Sequence, residues 1–317
     1  MRALFACFAL SICGALCAQG FPTRPVRIVI GFPPGGGIDT VARLLAPKMS
    51  ESLGQPVIVD NRPGGAGVLG TEAVAKATPD GHTVFFGTMG NLAVNPVFVP
   101  NLPFSMERDL APLTQVVSTS FLVYVNPAVP ASTVGELIAY AKANPGKLNF
   151  CSSGNGGAPH LAGELLNAMA NVSIVHVPYK GSAPCVSDLI GGQVQMTFEA
   201  VTIGLAHVQA GKLRALATTA AKRLPMLADL PTVAETLPGY EVDNWYGMVV
   251  PAGTPQAAVQ RLRDEVVKAM AIPEIRERLL LLGQVPVGST PEAFGAFMKA
   301  EGVKWLKLIR EANVKPG

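Results

Sequence analysis

Charged side chains are scarce in this chain: Asp, Glu, Lys and Arg make up 15% of its 317 residues, and the formal net charge is only +3. The basic residues are scattered, which excludes the positive stripe of a nucleic-acid binder. Histidine is rarer still, at four residues, and no His-x-x-x-His or Cys-x-x-Cys spacing occurs, so neither a metal nor a cofactor is expected. No Gly-x-Ser-x-Gly elbow is present to carry a serine nucleophile. Beyond residue 20 no apolar run approaches the roughly 18 residues of a membrane helix. What the chain has in quantity is glycine, 33 residues, and proline, 27, which suits many short, tightly turned β–α connections.

The first twenty residues read as an export signal. Arg2 gives a positive start, Ala3 to Leu16 an apolar stretch too short to span a bilayer, and Ala18-Gln19-Gly20 a small-x-small cleavage site. Neither Cys13 nor Cys17 follows a small residue, so a lipid anchor is not expected, and the mature protein is expected in the periplasm. Cleavage removes Cys7, Cys13 and Cys17. The remaining pair, Cys151 and Cys185, either forms a disulfide in that oxidising compartment or fills apolar space as two small side chains.

Periodicity predicts an α/β protein. Val26 to Ile30, Pro56 to Asp60 and Thr83 to Gly87 read as buried strands alternating with helices at 38–53 and 70–77. Lys147 to Cys151, Ser173 to Val177, Gln193 to Phe198 and Leu213 to Thr218 continue the pattern, with a helix over 159–170. Thr133 with Glu136 predicts a capping box, and Thr254-Pro255 and Thr290-Pro291 predict capped helix starts. Two apolar stretches, Phe121 to Val125 and Trp245 to Val250, read as crossover strands. They divide the mature chain into a discontinuous lobe, 21–121 plus 248–317, and a continuous one, 122–247.

The most informative segment follows the first strand. Phe32, Pro34, Gly35, Gly36, Gly37, Ile38 and Asp39 lead directly into a helix, and three adjacent glycines suggest a backbone that something approaches closely. Free N–H groups at such a helix start attract an anion without any charged side chain. No Gly-Lys-Ser/Thr follows, and no Gly-x-Gly-x-x-Gly with a later acid, so nucleotide binding is not expected. Asp39 caps its own helix or pairs with Arg43 one turn on. The device returns at Ser152, Ser153, Gly154, Asn155, Gly156, Gly157 and His160, where hydroxyls, an amide and free N–H groups precede another helix. It returns again at Tyr179, Lys180, Gly181 and Ser182. Glu199 ends a strand, at the edge where ligands lie in open α/β sheets, and can hold water, a cationic ligand group or Lys180. Thr88 and Asn91, and then Asn244-Trp245-Tyr246, are placed to complete a cavity wall. A thiol nucleophile at Cys151 with His160 or His176 is the remote enzymatic alternative, a Cys-dependent hydrolase, but the four histidines fall in unrelated elements.

These motifs together resemble a known family. Arg-Pro-Val-Arg-Ile-Val-Ile-Gly-Phe-Pro-Pro-Gly-Gly-Gly-Ile-Asp, the Asp60-Asn61-Arg62-Pro63-Gly64-Gly65 stretch, Ser152 to Gly157, Pro178-Tyr179-Lys180-Gly181 and Trp245-Tyr246-Gly247 are similar, in order, to the Bug (TctC-like) extracytoplasmic solute receptors of tripartite tricarboxylate transporters. The resemblance implies a two-lobed type II periplasmic binding-protein fold that closes on a ligand. It implies a monomeric receptor, not an enzyme, for a di- or tricarboxylate or an aromatic acid, held by backbone amides, small hydroxyls and water. Its partners would be membrane permease subunits or, alternatively, a sensor kinase. Cys151 and Cys185 stand where such sequences more usually have alanine, and Glu199 where aspartate is common.

Overall fold

The computed structural model describes residues 20–311, so the expected export signal, save Gly20, lies outside the described residues. In chain order the elements are β1 (Val26–Ile30), α1 (Gly37–Leu53), β2 (Val57–Asn61), α2 (Val68–Ala75), β3 (Thr83–Thr88), α3 (Asn95–Phe98), α4 (Met106–Asp109) and β4 (Leu110–Val125). There follow α5 (Val134–Ala143), β5 (Asn149–Ser152), α6 (Ala158–Ala170), β6 (Val175–Pro178), α7 (Ser182–Ile190), β7 (Met196–Ala200), α8 (Val201–Gln209) and β8 (Arg214–Thr218). The last are β9 (Asp243–Pro251), α9 (Gln256–Ala271), α10 (Pro273–Leu281), β10 (Gln284–Pro286) and α11 (Pro291–Glu311). No helix among the described residues is long and apolar enough to cross a membrane.

Local chemistry explains most of these elements. The β-branched run of β1 is buried at four of its five positions, as expected of a strand covered on both faces. Along α1 the apolar residues Ile38, Val41, Ala42, Leu45, Met49 and Leu53 fall at helical spacing and are all buried. Gly54 ends that helix with φ 68°, donating its N–H to Ser50 O, a conformation that costs glycine little. Thr290 caps α11 by accepting from Ala293 N at 3.2 Å. Two capping expectations need correction. Thr133 Oγ1 accepts from Glu136 N, but the Glu136 carboxylate reaches back to Ser132 N, so the reciprocal bond falls one residue early. Thr254 does not cap α9: its hydroxyl donates to Pro251 O at 2.7 Å, inside the preceding turn.

The strands form one mixed sheet in the order β2-β1-β3-β9-β4-β7-β5-β6, with β8 and β10 also pairing to β4. At one end β1 runs parallel to β2 and β3, and at the other β5 runs parallel to β6 and β7. Between them β4 is antiparallel to everything it touches: β9 along 110–120, β10 along 117–119, and β7 and β8 along 121–125. The expected crossover at Phe121 to Val125 is therefore only the last third of a 16-residue strand. Its earlier part hides in the sequence because Pro112 and a run of polar residues interrupt the apolar pattern. Register shifts at Pro112/Thr114 and Gln115/Val117 absorb that interruption, as bulges do. The expected second crossover, Trp245 to Val250, lies wholly within β9.

Candidate functional site

The parallel arrangement places the carboxyl ends of β1, β3, β5, β6 and β7 around a single cleft of about 90 Å³. Phe32, Pro33, Pro34, Gly36, Gly37 and Ile38 line it after β1, and Thr88 after β3. Ser153 and Gly157 to Pro159 enter after β5, Lys180 to Pro184 after β6, and Glu199 with Ala200 at the end of β7. Phe121, Asn244 and Tyr246, from β4 and β9, close the inner wall.

Four helices start at this cleft, and none has a side-chain cap. Gly36, Gly157, Gly181 and Ala200 stand in the cap positions of α1, α6, α7 and α8, with no side-chain oxygen to receive the first-turn N–H groups. Those donors and the helix dipoles face the cleft, which suits it to negatively charged oxygen atoms. Glycine also lets the walls approach one another. A Cβ on Gly37 would sit 2.7 Å from the Tyr246 hydroxyl, and one on Gly181 would lie 3.6 Å from Pro33 Cγ. The loops after β1 and β6 are therefore in contact across the cleft mouth.

Several residues read from the sequence as site candidates do not line this cleft. Asp39 is buried and organises the first loop: its carboxylate accepts from Gly35 N at 3.0 Å, Arg43 Nε at 2.9 Å and Asn61 Nδ2 at 3.0 Å. Burial opposes its ionisation, but these donors outweigh it and hold the carboxyl below its usual range. Asn91 accepts from Thr88 N and donates to Ala66 O, bracing the wall from behind. Ser152 Oγ bonds His176 Nε2 at 2.7 Å, and His160 Nδ1 accepts from Gly156 N at 3.0 Å. The two imidazoles stack with centroids 3.8 Å apart. Burial lowers His160 to about 4, and burial together with its neighbour lowers His176 to about 3, so both are neutral at pH 7. Tyr179 spends its hydroxyl on Asp188 at 2.6 Å. Gly35 and Gly156 are likewise turned from the cleft, whereas Gly154, Asn155 and Tyr179 line an adjoining outer groove of about 1140 Å³. Pro33 and Pro184 belong to the glycine-rich segments read from the sequence and Phe121 to the expected crossover strand, but none of the three was a named site candidate, and all line the wall.

Cys151, at the end of β5, is bonded to Cys185 in α7, with Cα atoms 5.7 Å apart. The bridge ties together two elements that deliver cleft loops, and it leaves no free thiol at Cys151 for nucleophilic attack. No cluster of metal-ligating side chains occurs among the described residues.

Glu199 is the most unusual group in the cleft. It is 3% exposed, and its Oε1 has no hydrogen-bond partner among the described residues. Burial pushes its carboxyl up to about 7, offset only in part by the Ser182 hydroxyl and the Ala200 N–H. Burial, and then the Glu199 charge, also raise the Tyr246 hydroxyl.

This architecture and cleft match proteins of one family. The sequence profile of the tripartite tricarboxylate transporter family receptors fits residues 41–314. A UPF0065 protein from the tcbD-tcbE intergenic region of Pseudomonas sp. strain P51 is 43% identical over 92% of this chain and 88% of its own. Among solved structures, an R. palustris protein with adipate superposes with TM-score 0.90 at 36% identity, covering 94% of this chain and all of its own. The periplasmic binding protein BugD superposes with TM-score 0.88 at 35% identity, covering 93% and 99%. With a profile match over most of its length and the Bug fold around an anion-suited cleft, the chain belongs to the tripartite tricarboxylate transporter family receptors, the Bug (TctC-like) solute-binding proteins, and not to an enzyme family.

Proposed function

We propose that this protein is an exported receptor that captures a small organic acid and delivers it to the membrane permease of a tripartite tricarboxylate transporter. The observation that carries this reading is the convergence of uncapped, glycine-led helix starts on one cleft. Carboxylate oxygens complete the first-turn N–H groups in a confined space, where charge-assisted hydrogen bonds are strong. The adipate held by the R. palustris relative supports a diacid as the ligand class. Lys180, on the cleft wall, adds the positive charge at its mouth.

In this reading the signal segment sends the chain to the periplasm, where it acts as a monomer. The lobes comprise 21–121 plus 248–317 and 122–247, and β4 and β9 form the hinge strands between them. The contacts of Pro33 with Gly181 and of Gly90 with the Gly156-Gly157 loop then belong to a closed state. Ligand stabilises that state and presents one docking surface to the permease.

Calorimetry of the purified mature protein against succinate, malate, adipate, citrate and benzoate tests the reading. One or more of these acids is expected to bind without chemical turnover. Failure of every acid to bind a folded protein would contradict the reading.

A further inference from the structure

Buried polar atoms without a hydrogen-bond partner lie at the inner end of the cleft and, at Gln284, in the wall behind it. Besides Glu199 Oε1, Asn244 Oδ1 and both amide atoms of Gln284 have no hydrogen-bond partner among the described residues. Asn244 is 4% exposed and Gln284 fully buried. Tyr246 stands among them, its hydroxyl beside Asn244 and Gln284 on one side and the Gly37 backbone on the other. Native interiors seldom leave such atoms unpaired, and a cluster of them facing one space marks where a polar group of something else belongs.

The surroundings of Glu199 select the kind of group. Tyr124 faces it from β4, Tyr246 from β9 and the Ser182 hydroxyl from the start of α7. Lys180 is exposed on the cleft wall, and no lysine or arginine pairs with Glu199 among the described residues. Asp39, the nearest acid along α1, is turned away onto Gly35, Arg43 and Asn61. A buried carboxyl without a cation favours its neutral form, and a ligand carboxylate brought against it strengthens that preference, because two adjacent anions cannot both ionise cheaply.

We propose that Glu199, Asn244 and Tyr246 form a second subsite for a diacid, in which protonated Glu199 donates a hydrogen bond to one carboxylate oxygen of the ligand. The Tyr246 hydroxyl and Asn244 Nδ2, once the Asn244 side-chain amide is turned over so that Oδ1 no longer faces the ligand, donate to the same carboxylate, while the uncapped helix starts hold the other. The proton on Glu199 comes from solvent, so the receptor takes up a proton with its ligand whenever Glu199 is ionised beforehand. Above the free carboxyl's pKa, binding therefore weakens as pH rises. The inference rests on the organic-acid reading above and names its ligand as a diacid.

The test is calorimetry with adipate and succinate, each against benzoate as the monoacid, from pH 5.5 to 9 in buffers of differing ionisation heat. Wild-type affinity for the diacids is expected to be flat below about pH 6.5, then to fall roughly tenfold per unit above pH 7, with uptake approaching one proton per ligand. Glu199→Gln keeps a donor at that position at every pH, so it should bind within a few-fold of wild type at pH 6 and lose the pH dependence. Wild-type binding without proton uptake would overturn the proposal, and that result needs no variant. So would loss of diacid binding in a Glu199→Gln protein that circular dichroism shows to be folded, because a neutral donor at position 199 would then not hold the ligand carboxylate. Benzoate binding without either diacid would remove the second subsite and keep the receptor. Absence of binding by all three acids at every pH would remove the carboxylate reading and this inference with it.

Discussion

Helices that open onto the cleft begin differently from α5 and α11, which lie away from it. At α5 and α11 a threonine hydroxyl takes up a first-turn N–H, from Glu136 and Ala293 respectively. At α1, α6 and α7 the corresponding position is glycine and no side chain intervenes. A missing cap does not make a site by itself, since α9 and α10 also lack one, behind Pro255 and Ile272. What distinguishes the cleft helices is that their free donors meet in one space. Folding leaves those donors unsatisfied there, and a ligand anion satisfies them.

The contrast can be broken on either side, and the largest effect should come from the frame beneath the cleft. Replacing Cys151 and Cys185 by alanine opens a cross-link between positions 34 residues apart. Urea unfolding should show a loss of about 3 to 4 kcal/mol relative to the oxidised protein, with the same loss on reduction of wild type. Gly37→Ala comes next. Its methyl group would meet the Tyr246 hydroxyl, so calorimetry should show diacid affinity reduced by about ten- to a hundredfold while the fold persists. Unchanged affinity would mean that the close approach of α1 to β9 is irrelevant to binding.

The two smaller predictions set the helix starts directly against each other. Thr133→Ala removes the α5 cap and should cost about 1 kcal/mol in urea unfolding, with ligand affinity unaltered. Gly36→Ser does the reverse. Gly36 already has extended geometry and no atom lies within 4 Å of a Cβ placed there, so a serine hydroxyl can cap α1. Stability should rise by a few tenths of a kcal/mol, while affinity falls several-fold because the hydroxyl competes with the ligand for the same N–H groups.

Which parts of this site were legible in the sequence follows from how local each part is. The loops at Phe32 to Ile38, Ser153 to Gly157 and Lys180 to Ser182 each sit between one strand and the next helix, so adjacent residues reveal both position and donors. The inner wall depends on pairing between distant strands. Asn244-Trp245-Tyr246 was recognisable as a candidate wall, but strand alternation sorts it. Asn244 and Tyr246 face the cleft, whereas Trp245 turns the other way, packs on Phe294 and donates to Glu301 in α11 at 3.1 Å. Phe121 was legible as the start of a strand but not as a wall residue, because only the long β4–β9 and β4–β7 pairing carries it to the cleft. His160 and Asn91 show the opposite limit. Each lies near a cleft loop, yet its side chain is held away from the cleft between a local backbone N–H, of Gly156 or Thr88, and a partner more distant in sequence, His176 stacked on one and Ala66 accepting from the other.

The most direct measurement of the central claim is the backbone amide spectrum of the ¹⁵N-labelled protein, titrated with adipate at pH 6. The N–H signals of Gly37, Ile38, Ala158 and Ser182 should move most as the ligand saturates, with those of Val134 to Glu136 at the capped start of α5 unmoved. Saturable binding that leaves the four cleft amides in place would contradict an anion held by uncapped helix starts.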